Sequence, residues 1–429
     1  MQADGGTRTT LIPIESASRS PHTTVQSLWT AVLLAGLLFV PGALGFFVQG
    51  LSFATGTALI SVFAILLVGM RQIKLSAGDV QSALAITLAV VFVVVTHLLI
   101  AYAIDGDPGF DFGRALLSIA LMGLILLSVP AVCQGVMGGD NKLDMIVKVM
   151  CGMFVLIAIL SLLQLQPPSP TLGSKPTFPY TEPSFLGFSM PAFLIFTLLR
   201  TSTPVRLAIL GVFLTLGYLL SNLTIIAACG LAAVVCLPLS WFTVGIGVII
   251  MSLASLDLTY YTDRLDFDWA NSSNLSSLVY VQGWQMLQES ISRTHNWGLG
   301  FQQLGVVYTN VPASVRINAL LGFDLNLQDG GFVLSKVISE MGIIGGILVF
   351  SYLYFVCKAF AGLKMAKNGL RDMPDGELFA RACIIGYLVE LFVRGTNYFT
   401  GTFVLMISGV IYLILKQRAK VGSALVSTI

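Results

Sequence analysis

Apolar residues run along this chain in blocks of roughly 20, the length an α-helix needs to cross the hydrocarbon core of a bilayer. The blocks fall at 26–48, 52–70, 83–104, 115–137, 145–165, 185–200, 207–221, 223–239, 241–257, 332–357, 378–394 and 399–416. They predict an all-α polytopic membrane protein of about twelve transmembrane helices. The block at 185–200 is short. The stretch 207–257 is nearly continuous, divided only by Asn222-Leu223-Thr224 and by Leu237-Pro238-Leu239-Ser240. Between Leu256 and Gly331 the pattern changes: charges, aromatics and glycines gather in a run that a bilayer cannot hold. The chain thus divides into a tail at 1–25, nine spans in 26–257 with a Pro-rich loop at 167–184, a large loop at 258–331, three spans in 332–416 and a tail at 417–429.

Composition agrees with that partition. Of 429 residues 56% are hydrophobic and 10% charged, and the mean hydropathy is +0.87, outside the range of soluble domains. A net charge of +2 with no basic cluster argues against nucleic acid as a partner. The six cysteines all lie in apolar runs, as small hydrophobes do, and indicate neither a disulfide framework nor a zinc site. Residues 1–25 are Ser/Thr-rich without a cleavable leader pattern, so the first apolar block reads as a retained signal anchor. With the amino terminus inside, about 16 of the 23 Lys and Arg fall on the cytoplasmic side. Both termini are then cytoplasmic, and the large loop, the loop 167–184 and Arg394 through Tyr398 share the outer side. No repeat of 20 to 50 residues appears, so the two similar halves of a carrier are missing.

Few side chains on the outer side can carry chemistry. The cations there are Arg114, Lys175, Arg264, Arg293, Arg316, Lys336 and Arg394, and arginine presents a permanent charge in a fork matched to phosphate oxygens. Arg394 ends an apolar run, with Glu390 four residues earlier as its alternative partner. Lys336 and Glu340 are also four apart and read as a pair lowering each other's cost in the membrane. Glu182 and Asp329 each precede a span, where a carboxylate is either a helix cap or a base for a sugar hydroxyl. His295 is a loop histidine, and His97 reads as a satisfied buried imidazole. Gly298-Leu299-Gly300 follows no strand and reads as a turn. No metal-binding cluster or Ser-His-Asp arrangement stands out, and no cofactor is expected.

Several segments match a known pattern. The span layout, the large loop, Asp329-Gly330-Gly331-Phe332 and Ser339-Glu340-Met341-Gly342 resemble the O-antigen polymerase and ligase superfamily. Thr181-Glu182-Pro183-Ser184, Val279 through Trp284 and Phe392 through Tyr398 resemble its Wzy-type polymerase branch. Ligases of the superfamily carry a His-Asn pair where the loop meets the next span; here Gly331-Phe332 stands near that point. The resemblance implies a GT-C-like glycosyltransferase at the periplasmic face of the bacterial inner membrane. It would join undecaprenyl-pyrophosphate-linked oligosaccharides, as both donor and acceptor, into O-antigen, capsule or exopolysaccharide, among membrane lipids and with a flippase and a chain-length regulator as candidate partners. On that reading Glu182 and Asp329 are the candidate bases. Arg264, Arg293, Arg316 and Arg394 meet pyrophosphate, and Tyr180, Tyr280, Trp284 and Tyr398 stack on sugars. The alternatives are a ligase that passes finished glycan to lipid A core and a lipid-linked oligosaccharide flippase.

Overall fold

The computed structural model describes residues 21–48, 53–138, 142–167, 177–238, 240, 268, 270–307, 310–367 and 372–426. Secondary structure among them is helical, with one isolated bridge between Thr177 and Tyr180. Among the described residues nine α-helices precede the large loop: α1 Pro21–Phe47, α2 Phe53–Gly69, α3 Ala77–Asp105, α4 Phe112–Val132, α5 Leu143–Leu162, α6 Pro183–Ser189, α7 Pro191–Leu199, α8 Thr203–Leu219 and α9 Leu223–Cys236. Within and after the loop come α10 Leu275–Arg293, α11 Pro312–Leu321, α12 Val333–Lys367, α13 Asp375–Gly386, α14 Leu388–Phe392 and α15 Gly401–Val426.

Among the described residues six helices are long and apolar enough to cross a membrane: Val25–Phe47, Ala77–Asp105, Phe112–Met137, Leu143–Leu162, Val333–Ala366 and Gly401–Arg418. Three more apolar helices, α2, α8 and α9, are shorter. Two expected single spans are divided. The block at 185–200 forms α6 and α7, separated at Met190, because Pro191 has no N–H to continue the ladder. The block at 378–394 forms α13 and α14, which meet at Tyr387. The expected span 241–257 lies outside the described residues.

Helix ends are set by the polar punctuation between apolar blocks. Ser76 and Asp79 form a reciprocal capping box at α3, whose far end closes on left-handed Gly106. Asp111 caps α4, Asn222 caps α9 and Asn274 caps α10, each through its side-chain oxygen. The core is one apolar body built from α1, α2, α4, α5, α7, α9, α13 and α15. Helices approach closely at glycine: a Cβ on Gly386 would lie 2.7 Å from the Ala192 nitrogen, and one on Gly409 would lie 2.6 Å from the Ala380 carbonyl oxygen. At one end of this bundle α10 packs on α12, with α11 against α10, and the pair brings the polar loop against the helices.

Candidate functional site

The site begins with a broken helix. Inside α12, Gly342 adopts φ 54 and ψ −130, a conformation that L side chains rarely take. The break separates Ile343 N–H from the Ser339 carbonyl it would bond in an unbroken helix. Both groups find new partners in the segment Asn296–Gln302. Ile343 N donates to Asn296 O, Leu299 N to Ser339 O and Gly300 N to Glu340 O, each at 2.9 Å. Gly298 and Gly300 have φ 93 and 100; a Cβ on Gly298 would lie 2.6 Å from Glu340 O, and one on Gly300 would crowd Leu98, Phe110 and Ala101. On its other side the segment leans on α3. Trp297 stacks on His97 at 5.3 Å, and His97 Nε2 donates to Trp297 O at 2.9 Å. His97 Nδ1 has no partner among the described residues, so the imidazole is only half satisfied. The turn expected at Gly298-Leu299-Gly300 falls just before it, at residues 294–296, and these three residues form a buried, bent strap that closes the gap in α12.

Below the strap lies a buried polar cluster. Glu340 accepts from Gln302 N at 2.9 Å and from Tyr398 Oη at 2.7 Å, and Lys336 Nζ stands 3.1 Å from its other oxygen. The expected Lys336–Glu340 pair is thus present, with side chains 1% and 0% exposed. Lys336 also donates to the carbonyl of Gln328 and sits over the Tyr398 ring at 5.5 Å. That contact leads directly to Asp329. Gly330 and Gly331, both left-handed at φ 65 and 75, let the chain turn into α12 against α10: a Cβ on Gly331 would lie 2.6 Å from Val279 O. Ser335 Oγ donates to Gly283 O at 2.6 Å and fastens the same contact.

Asp329 is the unpaired acid of the group. Its carboxylate has no hydrogen-bond or ion-pair partner among the described residues, so it does not cap α12. Burial pushes its pKa up to about 6, against the opposing fields of Lys336, Arg394 and Arg114 and with a smaller upward push from Glu182. Arg394 Nη2 pairs with Glu182 Oε2 at 3.3 Å, joining residues 212 apart in sequence, rather than with Glu390, which bonds Thr402. Gly395 N reaches Gly331 O at 3.4 Å, so the Arg394 segment abuts the Asp329 turn. Glu182 is the N-cap residue of α6 without a side-chain cap bond; its Oε2 instead takes bonds from Arg394 and, at 3.0 Å, from Ser184 Oγ.

The remaining expected residues scatter. Arg293 binds Asp105 at 2.7 Å and Asp107 at 2.8 Å, which ties α10 to the end of α3. Arg316 reaches Ser272 O at 3.4 Å, and Arg264 lies outside the described residues. Tyr180 is fully buried beside Phe39 at 6.2 Å, so its ring is packing rather than a sugar platform. Tyr398 is likewise enclosed, stacked on Phe301 at 5.3 Å. Tyr280 stacks on Phe332 at 4.8 Å, and Trp284, 43% exposed, leans on the same ring at 5.1 Å. These two keep aromatic surface on α10 beside the Asp329 turn. His295 is exposed and stands apart.

Nothing in the sequence assigned Gln302, Gly342 or Arg114 a part in the site. Arg114 was recognised as an outer cation, but nothing along the chain linked it to a loop residue 188 positions away, where its Nη2 donates to Gln302 Oε1 at 3.3 Å. Among the described residues no three His, Cys, Asp or Glu side chains come together as metal ligands. Comparison with known protein families and with characterised proteins finds no match to the chain.

Proposed function

We propose that the chain is a polysaccharide polymerase of the Wzy type, a twelve-span, GT-C-like membrane glycosyltransferase. It would act at the periplasmic face of the bacterial inner membrane, with both termini cytoplasmic. The observation that carries this reading is Asp329: an unpaired, largely buried carboxylate at one end of an apolar bundle, among Lys336, Arg394 and Arg114. A carboxylate with a pKa near 6 is ionised at neutral pH and still basic enough to take a proton from a hydroxyl in the transition state.

In the proposed step, a hydroxyl of one lipid-linked repeat unit attacks the anomeric carbon of the glycan on a second carrier. The new C–O bond forms as the bond from that carbon to the phosphate oxygen breaks, and the proton passes to Asp329. The electron pair leaves with undecaprenyl pyrophosphate. Arg394, oriented by Glu182, faces the charge that develops on the leaving group. Glu182 is therefore a positioning residue and Asp329 the base. Trp284 and Tyr280 offer aromatic faces to the sugars beside the same turn.

The test is deletion of the gene in its native host, followed by mass spectrometry of lipid-linked glycans. Accumulation of single, outward-exposed repeat units is the expected result. Long lipid-linked chains that reach no acceptor would instead mean a ligase, and single units held on the cytoplasmic face a flippase; either would overturn the proposal.

A further inference from the structure

Three cations surround Asp329, and two are already committed. Lys336 is paired with Glu340 and Arg394 with Glu182. Arg114 has no ion-pair partner among the described residues. It rises from the first turn of α4, where its own backbone N–H is spent on the cap Asp111 at 2.9 Å. Of its guanidinium, Nη2 is used by Gln302 Oε1, while Nη1 is buried and has no acceptor among the described residues.

Gln302 repeats the pattern. Its side chain is 5% exposed and its backbone is left-handed at φ 63, held there by the bond from its N–H to Glu340. A guanidinium has no acceptor, so the amide oxygen is the atom that meets Arg114 Nη2, and Nε2 takes no part in that bond. That Nε2 is also buried without an acceptor among the described residues. The neighbouring Gln303 shows what a satisfied amide looks like in the same place: its Oε1 accepts from Asp111 N at 2.9 Å and its Nε2 donates to Asp111 O at 3.0 Å. The clasp between Gln303 and Asp111 fixes the loop on α4, so Arg114 and Gln302 are held side by side with one open donor each.

Buried donors left without acceptors are costly, and a native fold that holds two of them on residues joined by a hydrogen bond, one a cation with no ion-pair partner among the described residues, suits an incoming acceptor. We infer that Arg114 Nη1 and Gln302 Nε2 form an oxyanion pocket that takes a phosphate oxygen. An anion rather than a neutral acceptor is selected because no carboxylate is paired with Arg114 among the described residues, Asp329 acting on it only through its field, and phosphate supplies several oxygens to donors placed together. That the phosphate belongs to a lipid-linked carrier rests on the polymerase reading; the pocket itself does not.

The test is binding, measured apart from glycan synthesis, on the full chain in nanodiscs. Inorganic pyrophosphate and a short-chain polyprenyl phosphate are titrated in parallel into wild type, Arg114→Gln, Arg114→Lys, Gln302→Leu and, as a control, Lys148→Gln, which alters an exposed pair on α5. Wild type and the control are expected to bind alike, Arg114→Gln at least 10-fold more weakly, and Gln302→Leu several-fold more weakly. Arg114→Lys, which keeps the charge and loses the fork, should fall between. Binding of both probes with this dependence means that the pocket reads phosphate itself; binding of the polyprenyl phosphate alone means that it reads a headgroup presented from the bilayer. Equal binding by wild type, Arg114→Gln and Gln302→Leu, or no binding of either probe to wild type, would overturn the inference. Thermal unfolding of each variant separates lost binding from lost fold. If Arg114-dependent binding persists while the deletion host still makes full-length glycan, the polymerase reading fails and the pocket stands.

Discussion

At the scale of single residues, Asp329 and Glu340 show how two carboxylates eleven positions apart acquire opposite roles. Glu340 accepts from two backbone N–H groups and a tyrosine hydroxyl and is paired with an ammonium, so its negative charge is fully compensated. Asp329 is largely enclosed nearby without such bonds, and its pKa rises to about 6. If Asp329 is the base, only its ionised form is competent. Elongation in proteoliposomes should then climb with pH through about 6 and level off above it. Asp329→Asn should cost about 100-fold or more in rate, within the range general bases contribute, and should abolish that acid limb. A profile flat from pH 5 to 8 in the wild type would exclude Asp329 from the step. For Glu340 the expectation concerns stability. Removing one partner of a buried pair costs about 3–5 kcal/mol, so Glu340→Ala and Lys336→Ala should each lower the melting temperature in detergent sharply. The double change Lys336→Met with Glu340→Leu should cost less than either, because no charge is left stranded.

At the scale of elements, hydropathy located most helices and misjudged their continuity. The blocks at 26–48, 83–104, 115–137 and 145–165 fall on α1, α3, α4 and α5 because a run of apolar side chains is sufficient cause for a helix in lipid. A window of that kind cannot register that Gly342 has a positive φ, or that Met190-Pro191 divides a span, since both are properties of backbone hydrogen bonding rather than of side-chain polarity. That Gly298-Leu299-Gly300 is irregular backbone was readable from its glycines alone. Its docking was not, because the carbonyls it satisfies are freed only by a break some 40 residues later. The strap and the break depend on each other, and Gly342→Ala tests this. A Cβ there would meet the carbonyl oxygens of Asn296 and Trp297 in a backbone conformation only glycine adopts readily. The variant should unfold at a lower temperature and shift Trp297 fluorescence as the indole leaves His97. Gly346→Ala, four residues on with open space around its Cβ, should leave both unchanged.

At the scale of the whole molecule, the site is assembled from the N-terminal end of α4, the start of α6, the strap before α11, the turn into α12 and the segment after α14. No two of these are neighbours in sequence, which is why listing outer cations and carboxylates found Glu182, Arg394 and Arg114 but, apart from the Lys336–Glu340 pair, not what each of them meets. The Glu182–Arg394 contact is the longest-range of them and is partly exposed, with side chains 48% and 20% accessible. An exposed pair of this kind contributes about 0–1 kcal/mol, so its removal should scarcely alter folding, and any large effect on function reports orientation instead. Glu182→Arg and Arg394→Glu should each suppress elongation while leaving the melting temperature within a few degrees. The two roles differ, however: Arg394 is proposed to face the leaving group, whereas Glu182 only holds it. Exchanging the charges should therefore restore the ion pair without restoring elongation, and Glu182→Gln should lose far less activity than Arg394→Gln. Measured in one proteoliposome assay, full recovery in the exchanged double variant would mean that the contact matters as a fastening between α6 and α14, and that Arg394 has no dealings with the substrate.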